Sequence, residues 1–318
     1  MNIVILDAYS VNPGDIDWSP IAQFGELRVY DYTPPELIGE RLKDADIAFT
    51  NRGRLGEAEF SAAPKLRFLG IFATGYDKID LHAARRHQVA VCNVPGYSTD
   101  AVAQHAIALL LEITNRTRAL DTEIRKRRWT QLPGDCLWDA PILSLSGRTF
   151  GVLGTGDIGC ATARIANALG MRVIGHSRSK RAEFCGEYVT LEELLDKSDV
   201  LSLHCAATNE TRGIINNETL ALMKPDAILI NTARGTLVNS IDLTQALNEG
   251  RLYAAGLDVV DGEPISPDNP LLSAKNCLIT PHVAWIPRDA RKRLVDTAAS
   301  NLGAFINGTM QNRVDLEG

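Results

Sequence analysis

The chain of 318 residues has no long uninterrupted apolar segment. Its longest apolar stretch, Ala101–Ile113, is interrupted by Gln104 and His105 and is too short to cross a bilayer. The first residues, Met1–Asp7, have no basic region before their apolar run, so they predict a strand rather than a signal peptide. The sequence therefore predicts a cytoplasmic protein that does not engage a membrane.

The chain also lacks a basic excess and paired cysteines. Its formal net charge of -6 supplies no positive field to attract a nucleic acid backbone. The six cysteines include no C-x-x-C pair and no metal-ligand spacing, which is typical of reduced cytosolic thiols and predicts no metal site. The expected partner is a small molecule, and nucleic acid is not expected.

Short apolar clusters rich in Val, Ile and Leu recur along the chain, with helical stretches between them. The predicted strands are Asn2–Leu6, Ile47–Thr50, Leu66–Ile71, Val89–Asn93, Phe150–Leu153, Met171–Gly175, Val200–His204, Ala227–Asn231, Ala255–Val259 and Cys277–Thr280. Apolar strands that alternate with helices are typical of parallel sheets covered on both faces. The length also exceeds the size at which one core usually keeps growing. The sequence therefore predicts an α/β fold with two doubly wound domains.

Two long helical patterns predict where the domains divide. One runs from Ser98 to about Arg128, and the other begins at Arg288 and ends at about Asn307. Each can carry the chain from one domain to the other. The first domain is therefore predicted to contain residues 1–99 and 286–318, and the second to contain residues 100–285.

A glycine-rich turn follows the strand that begins the second domain. Residues 151–159 read Gly-Val-Leu-Gly-Thr-Gly-Asp-Ile-Gly, a strand that enters a G-x-G-x-x-G turn, with a helix predicted over 161–169. Gly154 permits the tight turn, Gly156 lets the backbone approach a pyrophosphate, and Gly159 allows close helix–strand packing. The turn predicts a dinucleotide site that also includes Thr155, Asp157 and Ile158. A tight turn without a ligand is the alternative that this context disfavours.

The next strand lacks the acidic residue that binds the ribose hydroxyls in NAD enzymes of this fold. It ends in residues 175–181, Gly-His-Ser-Arg-Ser-Lys-Arg, where a hydroxyl and several cations stand instead. The Arg178 guanidinium can grip a phosphate, and Ser177 can donate a hydrogen bond to it. These residues predict a preference for NADP, with NAD as the second cofactor. A solvated basic loop is the other interpretation.

Three polar residues, Arg234, Glu263 and His282, each lie just past a later apolar strand. Ligands of open α/β sheets bind outside the carboxyl ends of the strands, so we expect the three to converge. His282 can exchange a proton with a carbonyl oxygen, and Glu263 would favour and orient its imidazolium. Arg234 can hold a carboxylate and polarise the carbonyl. Taken one at a time, Arg234 could form an ordinary ion pair, Glu263 could be a turn carboxylate and His282 could be a hydrogen-bonded loop histidine. Together, the three residues predict hydride transfer to a 2-keto acid.

With these motifs the chain resembles the D-isomer-specific 2-hydroxyacid dehydrogenases over nearly its whole length. The matching segments are 151–159, 203–204, 208–211, 231–235, 255–259, 263–264 and 281–282. The resemblance implies the roles given above for Arg234, Glu263 and His282, and places Asp258 near the nicotinamide carboxamide. It also implies cofactor contacts at Cys205, Thr211, Thr232 and Ala233.

The same resemblance implies an architecture and a mode of assembly. Residues 100–285 would form a Rossmann dinucleotide-binding domain inserted into a flavodoxin-like substrate-binding domain made of residues 1–99 and 286–318. A homodimer packed through the cofactor domain is expected. Gln104 and Ala206 depart from the Glu and Pro of many members, and we expect only small changes in cofactor contacts from them.

The N-terminal part carries the predicted substrate contacts. Ala-Thr-Gly-Tyr-Asp at 73–77 looks like the family loop whose backbone N–H groups bind the substrate carboxylate, which implies Thr74 and Gly75 for that role. Tyr97 stands where some members place a side chain against the substrate, and simple aromatic packing is the alternative. Tyr76, Trp138 and Trp285 are further residues expected to shape the pocket. The other histidines, at 82, 87, 105, 176 and 204, are expected to be surface or structural residues.

The compact chain and the Ser177–Arg178 pair resemble NADP-using hydroxypyruvate or glyoxylate reductases. A dehydrogenase for a larger 2-keto acid is one alternative. A non-catalytic, dinucleotide-sensing protein is another, because transcriptional corepressors resemble this fold. The intact Arg-Glu-His set favours an enzyme, and Glu263 argues against a formate dehydrogenase, which would pair its histidine with an amide.

Overall fold

A computed structural model describes residues 1–132, 134–137 and 141–316. The strands among them are β1 (Asn2–Ile5), β2 (Glu26–Val29), β3 (Ile47–Thr50), β4 (Phe68–Ile71), β5 (Ala90–Cys92), β6 (Thr149–Leu153), β7 (Arg172–His176), β8 (Glu187–Tyr188), β9 (Val200–Leu203), β10 (Ile228–Asn231), β11 (Ala254–Leu257) and β12 (Cys277–Ile279). Each of the ten predicted strands corresponds to one of these, with ends that differ by at most two residues. The sequence pattern missed β2 and β8, because both are short, largely exposed strands without an apolar run.

The helices alternate with the strands. They are α1 (Ser19–Ala22), α2 (Ile38–Leu42), α3 (Glu57–Ala62), α4 (Leu81–Arg86), α5 (Thr99–Asn115), α6 (Thr117–Arg125), α7 (Asp157–Ala168), α8 (Leu191–Lys197), α9 (Asn217–Ala221), α10 (Ser240–Asn248) and α11 (Arg288–Ile306). Short 3-10 turns occupy Ala8–Ser10, Pro35–Leu37, Trp129–Gln131, Gly235–Leu237 and Pro270–Ser273. Helix α7 begins four residues before its predicted start, because Gly156 adopts an extended conformation and caps it at Asp157.

The single long helix predicted from Ser98 to about Arg128 is wrong. Helix α5 ends at Asn115, and Arg116 has a left-handed φ of 53° that separates it from α6. The Glu112 carboxylate then accepts hydrogen bonds from the Thr117 hydroxyl at 2.7 Å and from the Arg118 N–H at 3.3 Å. These bonds cap the start of α6 and stabilise the break.

Residues 1–98 and 285–318 form one compact unit. Its five strands are all parallel, in the order β2-β1-β3-β4-β5, which is the flavodoxin-like order. The central strand β3 is fully buried, and the Phe49 and Phe72 rings stack with centroids 5.2 Å apart. Burying each such ring contributes about 2–3 kcal/mol to stability.

Residues 99–284 form the second compact unit. Its seven parallel strands run in the order β12-β11-β10-β9-β6-β7-β8. Counted from β6, this is the doubly wound Rossmann order with one additional edge strand. The strand order reverses between β6 and β9, whose residues Leu153 and Leu203 are paired at their carboxyl ends. Ligands of such sheets bind at that edge.

The predicted fold class, a Rossmann domain inserted into a flavodoxin-like domain, is confirmed. The compact units divide one residue away from the boundaries predicted at 99 and 286. That the first unit binds substrate and the second binds the dinucleotide stays a prediction. Within the described ranges, no helix combines the length and apolar character needed to cross a membrane.

Candidate active site

The glycine turn joins β6 to α7 at the reversal of strand order. Gly154 has a φ of 97°, and a Cβ atom there would lie 2.5 Å from the Cys205 nitrogen. A Cβ on Gly159 would lie 2.1 Å from the Gly154 carbonyl oxygen, so both positions require glycine. A Cβ on Gly156 would meet no atom within 4 Å, which leaves that backbone open to approach. The turn therefore fits a pyrophosphate, with N–H groups at the start of α7 directed to it.

The end of β7 carries the basic residues predicted to select the cofactor. Arg178 Nη1 lies 3.9 Å from Glu210 Oε2, and the two side chains are 82% and 78% exposed. An ion pair this exposed contributes at most about 1 kcal/mol, so it constrains Arg178 little. Arg181 forms an ion pair with Asp157 and so neutralises the carboxylate at the start of α7. The basic loop thus presents Arg178 to solvent.

Tyr188 connects this basic loop to the glycine turn, and the sequence pattern did not reveal it. Its hydroxyl oxygen lies 2.9 Å from Thr155 Oγ1 and accepts the Arg181 N–H at 2.8 Å. The Lys180 ammonium lies 5.5 Å from the centre of the Tyr188 ring. Tyr188 belongs to the two-residue strand β8, which has no apolar run from which the sequence could predict it.

The residues after β9 pack directly against the glycine turn. The His204 N–H donates to the Leu153 carbonyl at 2.8 Å, which brings the Cys205 backbone next to Gly154. Burial raises the pKa of the Cys205 thiol to about 11 and lowers the pKa of His204 to about 4. Both side chains are therefore neutral near pH 7. His204 Nε2 lies 2.8 Å from the Ser202 hydroxyl, in agreement with a structural role.

The other predicted cofactor contacts lie in the loops after β9 and β10. Thr211 Oγ1 donates to the Ala206 carbonyl at 2.7 Å, and the Ala233 N–H donates to Asn231 Oδ1 at 3.0 Å. Thr232 Oγ1 is buried and has no hydrogen-bond partner within the part of the chain that the structure describes. A buried hydroxyl of this kind is a polar atom left for a ligand to satisfy.

Glu263 and His282 form a close pair at the carboxyl edge of the seven-stranded sheet. Glu263 Oε2 lies 2.6 Å from His282 Nδ1, and the side chains are 25% and 26% exposed. The other carboxylate oxygen accepts the Val260 N–H at 3.4 Å. With Nδ1 directed to the carboxylate, His282 Nε2 is the nitrogen that can exchange a proton with a bound molecule.

Arg234 follows β10 and begins the neighbouring turn. Its carbonyl accepts a 2.9 Å hydrogen bond from Asn231 Nδ2, and its guanidinium donates to the Ala233 carbonyl at 2.8 Å. A Cβ on Gly235 would lie 1.9 Å from the Val260 carbonyl carbon, so this turn packs against the loop that leads to Glu263. The three predicted catalytic residues therefore stand in adjacent loops, and Glu263 and His282 are in direct contact.

Asp258, predicted as a cofactor contact, is completely buried. Its carboxylate accepts hydrogen bonds from the Thr280 hydroxyl at 2.6 Å and from the Val283 and Ala284 N–H groups at 2.9 Å each. His105 Nε2 lies 3.4 Å away. Burial by itself raises the pKa of Asp258, but the bonds from His105, Thr280 and the two backbone groups outweigh it and lower the pKa below its usual value. Asp258 therefore stays ionised.

The predicted substrate loop lies in the first compact unit, after β4. Thr74 Oγ1 donates to the Val94 carbonyl at 3.0 Å, and the Thr74 carbonyl accepts Asn93 Nδ2 at 2.7 Å. Neither the Thr74 nor the Gly75 N–H donates to an acceptor among the described residues. The side chain and carbonyl of Thr74 are thus anchored, while two adjacent N–H groups are left to bind an anion.

The aromatic residues expected to shape the pocket differ in exposure. Tyr97 and Trp285 are each 7% exposed and pack edge to face with ring centres 6.2 Å apart. The Tyr97 carbonyl also accepts a 3.1 Å hydrogen bond from Arg293 Nε. Tyr76 is 42% exposed, and Trp138 lies outside the described residues. The packing of Tyr97 matches the aromatic alternative, and its substrate contact stays a prediction.

No group of three or more His, Cys, Asp or Glu side chains in the described ranges is arranged to hold a metal ion. The site instead consists of a glycine turn at the reversal of strand order and a carboxylate–imidazole pair at the same sheet edge. This combination is typical of a nicotinamide-dependent dehydrogenase.

Comparison with known proteins identifies the family. Residues 107–284 match the profile described as "D-isomer specific 2-hydroxyacid dehydrogenase, NAD binding domain". The chain is 45% identical to a hydroxypyruvate reductase of Blautia hydrogenotrophica, over 99% of this chain and 100% of that protein. It is 39% identical to a glyoxylate reductase of Aeropyrum pernix, over 91% and 89% of the two chains. The chain therefore belongs to the D-isomer-specific 2-hydroxyacid dehydrogenases, which confirms the resemblance.

A solved structure of an oxidoreductase has a similar fold. An acyclic imino acid reductase in complex with NADPH and D-Arg superimposes with a TM-score of 0.89 at 31% identity, covering 99% of this chain and 100% of that one. The protein is thus an oxidoreductase that uses a nicotinamide dinucleotide.

Proposed function

We propose that the protein reduces hydroxypyruvate or glyoxylate to the corresponding 2-hydroxy acid, with NADPH as the preferred cofactor. The observation that carries this proposal is the 2.6 Å contact between Glu263 and His282, at the same edge of the seven-stranded sheet as a glycine turn that fits a pyrophosphate. The choice of substrate is supported by relatives named hydroxypyruvate reductase and glyoxylate reductase, which are 45% and 39% identical to this chain over the aligned residues.

In this proposal His282 is the general acid that donates the proton in the reduction. A reduced nicotinamide dinucleotide, when bound, supplies the hydride. The Glu263 carboxylate accepts the Nδ1 proton of His282, which fixes the orientation of the ring. His282 Nε2 then donates a proton to the carbonyl oxygen as negative charge develops there, and it takes the proton back in the reverse direction.

Anion binding is assigned to Arg234 and to the substrate loop. The guanidinium of Arg234 is permanently charged and presents a planar fork that matches a carboxylate. In the first unit, the N–H groups of Thr74 and Gly75 are proposed to bind a carboxylate, because both are without an acceptor among the described residues. A small 2-keto acid has both a carboxylate, which such N–H groups or a guanidinium can bind, and a carbonyl that a positive charge can polarise.

The cofactor residues are proposed to act in two regions. The turn Gly154–Gly159 would hold the pyrophosphate, and Ser177 with Arg178 would hold a 2′-phosphate. The Arg178–Glu210 pair is long and exposed, so a phosphate with two charges competes with it easily. Further contacts are proposed at Cys205, Thr211, Thr232, Ala233 and Asp258. A homodimer and a cytoplasmic location stay predictions from the sequence.

The proposal is tested by initial rates of NADPH and NADH oxidation with glyoxylate, hydroxypyruvate, pyruvate, phenylpyruvate and 2-ketogluconate. We expect turnover of glyoxylate and hydroxypyruvate to exceed that of phenylpyruvate, and NADPH to be oxidised faster than NADH. Faster turnover of a bulky acid would instead identify a dehydrogenase for larger 2-keto acids. Tight dinucleotide binding without turnover of any acid would favour a dinucleotide-sensing protein.

The same assay with Arg178→Ala tests the cofactor preference. Loss of a charged hydrogen bond of this kind weakens phosphate binding by about 1.5–3 kcal/mol, so KM for NADPH should rise by about tenfold to a hundredfold. KM for NADH should change little, because NADH has no 2′-phosphate. Lys197→Ala, on α8, serves as a control for removal of an exposed cation. Equal losses with the two cofactors would show that Arg178 is only a surface residue.

A further inference from the structure

Asp258 holds the backbone of the segment that carries His282. The His282 N–H donates to the Asp258 carbonyl at 2.7 Å, while the next two N–H groups, of Val283 and Ala284, donate to its carboxylate at 2.9 Å each. His282 has a φ of 56°, a left-handed conformation that residues other than glycine rarely adopt. Three consecutive bonds to one residue therefore hold His282 in a conformation that it would not otherwise prefer.

The Asp258 carboxylate is in turn held by a hydroxyl. A buried carboxylate must be fully hydrogen-bonded to stay charged, and the side chain of Asp258 is 0% exposed. Thr280 Oγ1 lies 2.6 Å from Asp258 Oδ1. An ionised carboxylate can only accept, so the single hydroxyl proton of Thr280 must point to Asp258.

His105, on helix α5, completes the chain of contacts. Its Nε2 lies 3.0 Å from Thr280 Oγ1 and 3.4 Å from Asp258 Oδ1. Because the only proton of the Thr280 hydroxyl is directed to Asp258, Thr280 must accept a hydrogen bond from His105. The geometry therefore places a proton on Nε2 of His105, and this N–H orients the Thr280 hydroxyl toward the carboxylate.

We propose that His105 is a positioning residue for the proton-transferring His282, and that it acts through Thr280 and Asp258. The proposal rests on the function assigned above to His282. Through these contacts, His105 on α5 holds the Asp258 carboxylate in place. That carboxylate accepts the N–H groups of Val283 and Ala284, the two residues that follow His282. His105 was expected to be a surface or structural histidine, and its 3.0 Å contact with Thr280 Oγ1 agrees with a structural role.

The test compares three variants of His105. Leucine has a similar volume and removes the Nε2 donor, glutamine places an amide N–H near the Nε2 position, and asparagine reaches only the Nδ1 position. A displacement of His282 by a fraction of an ångström in His105→Leu should lower kcat by about tenfold to a hundredfold, with KM for NADPH unchanged within about twofold. His105→Gln should restore most of kcat, and His105→Asn should not.

Two controls separate positioning from general destabilisation. His87→Leu alters a histidine of matched exposure, 27% against 23% for His105, which also faces one carboxylate, and it should leave kcat unchanged. Melting temperature and NADPH binding are measured for every variant. If His105→Leu does not fold, the contrast between His105→Gln and His105→Asn carries the test. Equal kcat in those two folded variants would overturn the proposal.

A double-mutant cycle with His282→Ala completes the experiment. If His105 acts through His282, then His105→Leu should cause almost no further loss of kcat in the His282→Ala background. A full, additive loss in that background would overturn the positioning role while leaving the proposed function intact. If His282→Ala alone left kcat unchanged, the function assigned to His282 would fail, and the proposal for His105 would be overturned with it.

Discussion

Replacement of His282 by alanine is expected to lower the rate of 2-keto acid reduction by about a hundredfold to ten-thousandfold, the usual contribution of a general acid. The methyl group cannot donate a proton to the carbonyl oxygen, while the glycine turn that fits the dinucleotide is untouched. Dinucleotide affinity should therefore stay near that of the wild-type protein. Steady-state kinetics and a fluorescence titration with NADPH measure the two quantities separately.

His204→Ala is a useful comparison for this variant. His204 lies next to the glycine turn, but burial lowers its pKa to about 4, so near pH 7 its ring is neutral and it cannot act as an imidazolium proton donor. Its replacement should affect cofactor binding or stability more than the chemical step. Unchanged kcat in His282→Ala, or an equal loss of kcat in His204→Ala, would contradict the assignment of the proton to His282.

Arg234→Gln is expected to lower kcat/KM by about a hundredfold to a thousandfold, comparable to the loss of one preorganised donor to a developing oxyanion. Glutamine keeps a hydrogen-bond donor but loses the permanent charge and the two-pronged geometry. The loss should appear in kcat as well as in KM, since polarisation of the carbonyl matters most in the transition state. Initial rates over a range of hydroxypyruvate concentrations measure both parameters.

Arg234→Lys refines this prediction, because lysine keeps the charge but not the planar fork. It should recover only part of the lost kcat/KM. Arg251→Gln is a control that removes another partly buried arginine, one that pairs with Glu249 at the far end of α10, and it should leave both parameters unchanged. Full activity in Arg234→Gln would exclude Arg234 from carboxylate binding.

The buried parts of the fold were accessible from the sequence because their patterns are local. The central strands are continuous apolar runs, and Gly154, Gly156 and Gly159 stand in a fixed spacing between a strand and a helix. Strands β2 and β8 have no such signature, because edge strands that are largely exposed do not need apolar residues. The break between α5 and α6 depends on one left-handed residue, Arg116, which no periodic pattern marks.

Some contacts of the candidate site were predictable from the sequence, and others were not. The contact between Glu263 and His282 was expected because residues that follow neighbouring parallel strands meet at one sheet edge. The contact between His105 and Thr280 joins positions 175 residues apart, and one of them lies within an apolar helix. Only the packing of α5 on the sheet creates it. Tyr188 was missed for a similar reason, since its partners belong to two separate loops.

The central claim is that this chain transfers a hydride to the carbonyl carbon of a small 2-keto acid. The product is the D-2-hydroxy acid. The most direct measurement uses hydroxypyruvate and NADPH that carries deuterium at the transferable position of the nicotinamide. The glycerate formed is then examined for deuterium at C2 and for its configuration. The account predicts D-glycerate with one deuterium at C2. Glycerate of L configuration, or product without deuterium, would contradict it.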